Sequence, residues 1–150
     1  MFLVTFALHL AGGIWDNEII TALSYGFKGL FYGLVTINLV DTIFHEKWSY
    51  MDRLLGASCG YILLGLTWGR WYGFLETLVP GSFEVVKNSS DLVYFAFSTM
   101  TTLGYGEIIP MNHWAQSIAV LTVTSGVLYL AILVSLLVGG YTKSKSFWGK

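Results

Sequence analysis

The stretch that decides the fold is residues 99–107, which read TMTTLGYGE. Gly104 and Gly106 stand at alternate positions, and glycine enters the left-handed backbone conformation without steric cost. A backbone that alternates between left-handed and right-handed residues turns successive carbonyl groups toward one side. Such an oxygen-lined wall can replace the water shell of a monovalent cation, and Thr102 can add its hydroxyl as the innermost ligand. We therefore expect one wall of a cation path here.

One chain supplies only one wall of such a path. Closing a cage around a cation needs further copies of the same loop about a common axis, so we expect an obligate homotetramer. The large side chains of Leu103 and Tyr105 are expected to point away from the path and to wedge the loop against the half-helix that precedes it.

The composition places the chain in a lipid bilayer. Of its 150 residues, 55% are hydrophobic and only 11% are charged, whereas soluble domains carry charge at roughly a quarter of their positions. The mean hydropathy is +0.64. A formal net charge of -1 without a basic block argues against nucleic acid as a partner.

Catalytic chemistry is not expected from this sequence. No nucleophile stands near a base, and His9, His45 and His113 lie on different segments. We therefore predict neither an enzyme active site nor a histidine metal site, and no organic cofactor.

Apolar segments alternate with polar clusters that mark where a helix leaves the hydrocarbon layer. Four spans are predicted, at residues 1–15, 19–44, 54–79 and 114–141. The first span offers only about 22 Å of helix. This length is expected if the span is the truncated end of a longer helix. Residues 92–97 are apolar but too short to cross a membrane, so they predict a half-helix that re-enters it.

Basic residues near the ends of the spans predict the orientation. Lys47 and Arg53 lie between the second and third spans, and Lys143, Lys145 and Lys150 follow the fourth. Because lysine and arginine accumulate in cytoplasmic loops, we expect both termini in the cytoplasm and the chain in the plasma membrane.

Residues 99–107 resemble the potassium channel signature, in which a threonine-rich stretch leads into Thr-Val-Gly-Tyr-Gly-Asp. The resemblance extends over residues 52–141. This region is similar to small prokaryotic channels with a two-helix pore. It implies potassium as the permeant ion, held at Thr102, Leu103, Gly104 and Tyr105. With Gly106, these residues would form the selectivity filter.

The resemblance also implies an architecture for the whole chain. We expect an all-α membrane protein with an outer helix, a re-entrant pore helix with its filter, and an inner helix, preceded by two further transmembrane helices. Residues 1–52 would hold those two helices and a cytoplasmic loop, residues 53–142 the pore domain, and residues 143–150 a short cytoplasmic tail.

Several positions around the filter depart from the family pattern. Leu103 replaces the usual valine and is not β-branched, which reduces the rotamer stiffness of the wall. Glu107 replaces the usual aspartate, and Ser98 stands where some members place a glutamate. The resemblance implies six supporting residues, although aromatic residues are also common at membrane interfaces. They are Tyr94, Phe95, Ser98, Thr101, Glu107 and Trp114.

Gly126 follows Pro110 at the spacing of the hinge glycine that the family carries in its inner helix. The alternative interpretation is close helix packing, which small residues favour in membranes. Four side chains that share one helical face are expected to line the inner cavity. They are Val127, Leu130, Val134 and Val138.

Two charged residues lie inside predicted spans, Arg70 and Lys28. A voltage sensor needs several arginines at regular spacing, so we do not expect the chain to sense voltage. Both side chains are expected to reach toward the headgroups or to pair, Arg70 with Glu76 and Lys28 with Asp41 or a polar neighbour.

The sequence favours a pore-forming subunit of a tetrameric potassium-selective channel with passive conduction through backbone carbonyls. A non-selective monovalent cation channel is one alternative, and it would usually lack the second glycine or the tyrosine of the filter. A non-conducting or transporter-type membrane subunit is another, and transporters with related loops generally carry four unequal repeats. This chain has Tyr105 and Gly106 and no internal repeat.

Overall fold

The computed structural model describes the backbone of residues 18–45 and 50–148, and the side chains within 19–43 and 51–135. These residues form four α-helices and no named strand, which confirms the predicted all-α class for this part of the chain. The helices are α1 Glu18–His45, α2 Tyr50–Leu78, α3 Ser89–Met100 and α4 His113–Trp148. The predicted span at residues 1–15 lies outside the described residues.

Two of the helices contain segments long and apolar enough to cross a membrane, Ile19–Ile43 of α1 and His113–Ser135 of α4. With 29 residues, α2 is about 44 Å long. By contrast, α3 has 12 residues, or about 18 Å, and falls short of a bilayer crossing. It is longer than the half-helix predicted at residues 92–97.

Helices α1 and α2 pack closely because glycines on each helix accept side chains from the other. A Cβ at Gly29 of α1 would lie 3.3 Å from the indole nitrogen of Trp71. A Cβ at Gly73 of α2 would lie 2.9 Å from the ring of Tyr25. Small residues allow such close approach between helices in membranes, so α1 is fixed along α2.

Helix α3 is held against α2 by an aromatic cluster. The rings of Tyr72, Phe83 and Phe95 lie 5.0 to 5.4 Å apart between centroids, within the range of favourable aromatic contacts. All three residues are buried. A Cβ at Gly65 of α2 would also meet the Phe97 ring at 2.5 Å. The core of the molecule therefore lies directly behind the loop at residues 101–107.

Glu76 closes the end of α2 and corrects one expectation. Its carboxylate accepts hydrogen bonds from the backbone N–H groups of Gly81 at 2.9 Å and Phe83 at 3.1 Å. It therefore holds the turn after α2, and no ion pair with Arg70 forms within the described residues.

The predicted pairing of Lys28 with Asp41 is also wrong. The two residues lie on α1 about 20 Å apart along its axis, which is too far for a direct ion pair.

Candidate ion-binding site

The half-helix that carries the loop is fixed at its start by Asp91. The Asp91 carboxylate accepts hydrogen bonds from the backbone N–H groups of Lys87 at 2.8 Å and Asn88 at 3.0 Å. These two bonds lower the pKa of Asp91. A carboxylate in the first turn also suits the positive end of the helix dipole, so α3 has a well-defined beginning.

The loop after α3 folds back onto the end of that helix. The N–H groups of Leu103 and Gly104 both donate to the carbonyl of Ser98, at 2.8 and 3.2 Å. The hydroxyl of Thr101 donates to the carbonyl of Phe97 at 2.7 Å. Because these N–H groups point at the helix, the loop carbonyls are left for other partners. The negative end of the helix dipole also lies here, where it favours a cation.

The loop backbone alternates as the glycine spacing predicts. Thr102 has φ 60°, Gly104 φ 57° and Gly106 φ 80°. A Cβ added at either glycine would meet nothing within 4 Å in this chain, so it is the backbone conformation that requires glycine there. The sequence analysis missed the left-handed conformation of Thr102. It could have been found by extending the alternation two residues backward.

The loop is open on one side in the single chain. Residues 101–107 are all exposed, with Leu103 at 52% and Tyr105 at 67%. The expected wedge of these two side chains against their own half-helix is therefore not formed within one chain. The exposed side of the loop is available to other copies or to an ion.

One side of the loop is braced by a hydrogen bond from Tyr94 to Glu107. The Tyr94 hydroxyl donates to Oε2 of Glu107 at 2.8 Å. Behind this bond lies a cavity of about 110 Å³, which is large enough for water. Its lining consists of Tyr94, Phe95, Ser98, Thr99, Gly104, Tyr105, Gly106, Glu107 and Ile108.

Most of the predicted supporting residues meet around this cavity. Phe95 and Ser98 are buried, and Thr101 bonds the helix end. Trp114, in the first turn of α4, is 71% exposed and lies outside the residues that line the cavity. Trp114 is therefore not among the supporting residues that meet at this cavity.

Gly126 is the point where α4 touches the end of α3. A Cβ there would lie 2.6 Å from the carbonyl oxygen of Met100 and would also meet the Met100 side chain. Met100 is fully buried, and α4 is continuous through Gly126. This contact supports the packing interpretation of Gly126.

Four side chains are predicted to line an inner cavity, and the three that the structure describes are exposed in the single chain. Val127, Leu130 and Val134 are 48%, 41% and 56% exposed. The side chain of Val138 lies outside the described residues.

Three hydrogen bonds between α2 and α4 were not predicted from sequence. Tyr72 shares a 2.6 Å bond with the Thr122 hydroxyl, and the Trp68 indole donates to the Ser125 hydroxyl at 2.8 Å. Tyr129 donates to a carbonyl of α2 at 2.7 Å. The available signal was the presence of hydroxyl residues, Thr122 and Ser125 among them, in a largely apolar span.

The comparisons with known proteins point to channels. The ion channel family model matches residues 60–142. The inward rectifier potassium channel Kirbac3.1 of Paramagnetospirillum magnetotacticum is 35% identical over 69 residues, which are 46% of this chain and 21% of that protein. The intermediate conductance calcium-activated potassium channel protein 4 of Rattus norvegicus is 25% identical over 103 residues, or 67% of this chain and 24% of that protein. The calcium-gated potassium channel TvoK of Thermoplasma volcanium is 30% identical over 64 residues, or 41% of this chain and 18% of that protein.

The chain thus spans between 18% and 24% of the length of these three relatives. The matches confirm the resemblance to potassium channels that residues 99–107 indicated. They also confirm that the chain is not an enzyme, because ion channels are not enzymes. With more than half of its residues inside the family match, the chain belongs to the ion channel family.

Proposed function

We propose that this chain is the pore-forming subunit of a homotetrameric, potassium-selective channel that conducts passively. The observation that carries the proposal is the alternating left-handed backbone at Thr102, Gly104 and Gly106. That backbone is anchored by the N–H groups of Leu103 and Gly104 on the Ser98 carbonyl. The names of the potassium channel relatives support potassium as the permeant ion.

Potassium would be held by the carbonyls of Thr102, Leu103, Gly104 and Tyr105, with the Thr102 hydroxyl at the inner end. Within the described part of the chain none of these four carbonyls accepts a hydrogen bond. Four copies facing one axis would supply the oxygens that replace the water shell of the ion. Potassium is the cargo of this path, and no organic cofactor takes part.

The tetramer is supported by what a single chain leaves uncovered. Apolar side chains on α4 from 120 to 134 are 41% to 65% exposed. Lipid hydrocarbon can cover an apolar face of a helix, but it cannot cover the exposed backbone polar groups of the loop at residues 101–107. Further copies of the chain, arranged so that their loops face one another, would cover these groups. The exposed members of α4 are Val120, Leu121, Val127, Leu128, Leu130, Ile132 and Val134.

In this proposal residues 53–142 form the pore domain, residues 1–52 provide N-terminal helices and a cytoplasmic loop, and residues 143–150 form a cytoplasmic tail. The channel lies in the cell membrane with both termini in the cytoplasm. Voltage would have little influence on opening, because Arg70 is the sole arginine in the span of α2 that lies within the bilayer and is packed among fixed helices.

The test is single-channel recording of the purified protein in planar bilayers under opposing gradients of potassium and sodium. We expect a reversal potential close to the potassium equilibrium potential. A reversal potential that follows sodium as strongly as potassium would indicate a non-selective channel. A tetramer that carries no current under any gradient would indicate a non-conducting subunit.

A further inference from the structure

The chain that leaves the loop at residues 101–107 pairs with the chain that leaves α2. Residues 82–84 follow α2, and residues 109–111 follow the loop. Two backbone hydrogen bonds of 2.8 and 2.9 Å join these segments, one on each side of an antiparallel bridge between Phe83 and Pro110. The segment after the loop is therefore held close to the end of α2.

Two side chains reinforce this pairing. Nδ2 of Asn112 donates to Oγ of Ser82 at 2.7 Å, and Oγ of Ser82 donates to the carbonyl of Val79 at 2.6 Å. Oδ1 of Asn112 accepts the N–H group of Ala115 at 2.8 Å, in the first turn of α4. Because a backbone N–H can only donate, this bond fixes which end of the Asn112 amide faces Ser82. The side chains thus link the end of α2 to the start of α4.

The outer half of the loop has few other supports. Two N–H groups anchor the inner half of the loop on the carbonyl of Ser98. By contrast, the backbone of residues 105–108 makes no hydrogen bond to another backbone group within the described part of the chain. The position of this stretch is therefore set by the hydrogen bond between Tyr94 and Glu107 and by the segment that follows.

We propose that Ser82 and Asn112 are positioning residues for potassium binding in the loop. Their role rests on the proposed function, in which the carbonyls of Gly104 and Tyr105 hold the ion. Discrimination between potassium and sodium depends on the arrangement of the coordinating oxygens, and a binding site keeps its geometry only where surrounding hydrogen bonds hold it. Without the bond between Ser82 and Asn112, the outer half of the loop loses part of its support, and the preference for potassium falls.

Two substitutions remove this bond while the start of α4 is kept. Ser82→Ala takes away the acceptor and leaves Asn112 to bond the N–H group of Ala115. Asn112→Ser takes away the donor, and serine begins a helix about as well as asparagine does. Because both substitutions remove the same bond, the double variant should lose no more than either single variant.

Ser117→Ala is the matched control on the same part of α4. The Ser117 hydroxyl donates to the carbonyl of His113 in its own helix at 2.7 Å. Its removal leaves the bond between Ser82 and Asn112 in place, so the preference for potassium should not change.

The experiment compares potassium and sodium as ligands that stabilise the purified full-length protein in detergent. An ion that binds the folded protein raises its unfolding temperature. The protein is titrated with potassium chloride or sodium chloride, and a bulky organic cation keeps the ionic strength constant. We expect tighter binding of potassium to the unmodified protein. Each single variant should lower the ratio of the two affinities about fivefold, as the loss of one hydrogen bond can.

A purely structural role would give a different result. The unfolding temperature of the variants would then fall by the same amount in both salts, and the ratio of affinities would stay as it is. An unchanged ratio in Ser82→Ala and Asn112→Ser therefore overturns the proposal, even where both variants are less stable. If Ser82→Ala does not assemble, the ratio in Asn112→Ser decides.

Two further outcomes count against a shared role. A double variant that loses more than either single variant shows that Ser82 and Asn112 act separately. A reduced ratio in Ser117→Ala shows that the preference responds to changes that leave their bond intact. If the unmodified protein shows no preference for potassium, the proposed function fails together with the positioning role. A preference that survives in every variant removes the positioning role alone.

Discussion

The loop at residues 101–107 and the helix junction behind it are held in place by different means. The loop depends on its backbone, through left-handed residues at Thr102, Gly104 and Gly106 and through two N–H groups on one carbonyl. The junction of α2, α3 and α4 depends on side chains, through an aromatic cluster, hydroxyl hydrogen bonds and the Gly126 contact. Changes in the loop should therefore alter conduction while the fold survives. Changes in the junction should lower stability while selectivity survives.

The largest effect is expected for Gly104→Ala. Alanine in the left-handed conformation costs about 1–2 kcal/mol per residue, and in the proposed tetramer four copies of the loop would carry the change. The added methyl has room, since nothing lies within 4 Å, so the protein should still fold and assemble. We expect the permeability ratio of potassium to sodium to fall sharply in bilayer recordings.

Gly81→Ala is the matched control, because Gly81 has φ 82° and equally open surroundings but lies in the turn after α2. It should show a similar loss of stability and an unchanged permeability ratio. An unchanged ratio in Gly104→Ala would mean that the loop backbone does not set selectivity.

Gly126→Ala tests the junction at its tightest point. The new methyl would lie 2.6 Å from the Met100 carbonyl oxygen, and overpacking of this kind costs about 1–3 kcal/mol. We expect a lower unfolding temperature in detergent. Gly33→Ala is the control, because its methyl would meet Thr67 at an ordinary 3.7 Å and should gain about 1 kcal/mol of helix propensity.

The same variant separates the two interpretations of Gly126. If the glycine serves as a hinge, Gly126→Ala should change the open probability while leaving thermal stability intact. If it serves packing, stability falls first. A wild-type unfolding temperature together with altered opening would restore the hinge interpretation.

Sequence reasoning went furthest where the relevant interaction is local. Helices α1 and α4 follow from apolar length, and the glycine alternation follows from backbone sterics at Gly104 and Gly106. It failed where two distant segments must meet in a particular register. The bond between Tyr72 and Thr122 joins residues fifty positions apart. The pairing of Glu76 with Arg70 was wrong because the Glu76 carboxylate instead accepts hydrogen bonds from the turn after α2.

Tyr72→Phe tests one side-chain bond of the junction. It removes a buried hydroxyl that lies 2.6 Å from the Thr122 hydroxyl, and such a bond contributes about 1 kcal/mol. Thr122 keeps its own bond to the Ile118 carbonyl at 2.9 Å, so no donor is stranded. We expect a small fall in unfolding temperature and no change in selectivity.

Tyr61→Phe provides the contrast, because the Tyr61 hydroxyl is buried without a hydrogen-bond partner in the described structure. Removing a buried, unpaired hydroxyl relieves a desolvation penalty. This variant should be neutral or slightly more stable. Equal losses in Tyr61→Phe and Tyr72→Phe would show that the Tyr72 hydroxyl contributes no more through its bond to Thr122 than an unpaired hydroxyl does.

The smallest effect is expected for Asp91→Asn at the start of α3, and it should depend on pH. The N–H groups of Lys87 and Asn88 lower the pKa of Asp91 in the folded chain. A carboxyl with a lowered folded pKa stabilises the fold above its unfolded value of about 4, and this stabilisation is lost as pH falls through the folded pKa. Asp91→Asn should therefore lower the unfolding temperature slightly at pH 7 and leave it unchanged at strongly acidic pH. A plot of its unfolding temperature against pH should be flatter than that of the unmodified chain.

Glu84→Gln is the control, because it removes an exposed carboxylate that makes no hydrogen bond within the described residues. It should leave the dependence of the unfolding temperature on pH unchanged. If both variants flatten the profile equally, the acid sensitivity reflects net charge on this loop and not the two bonds that begin the half-helix.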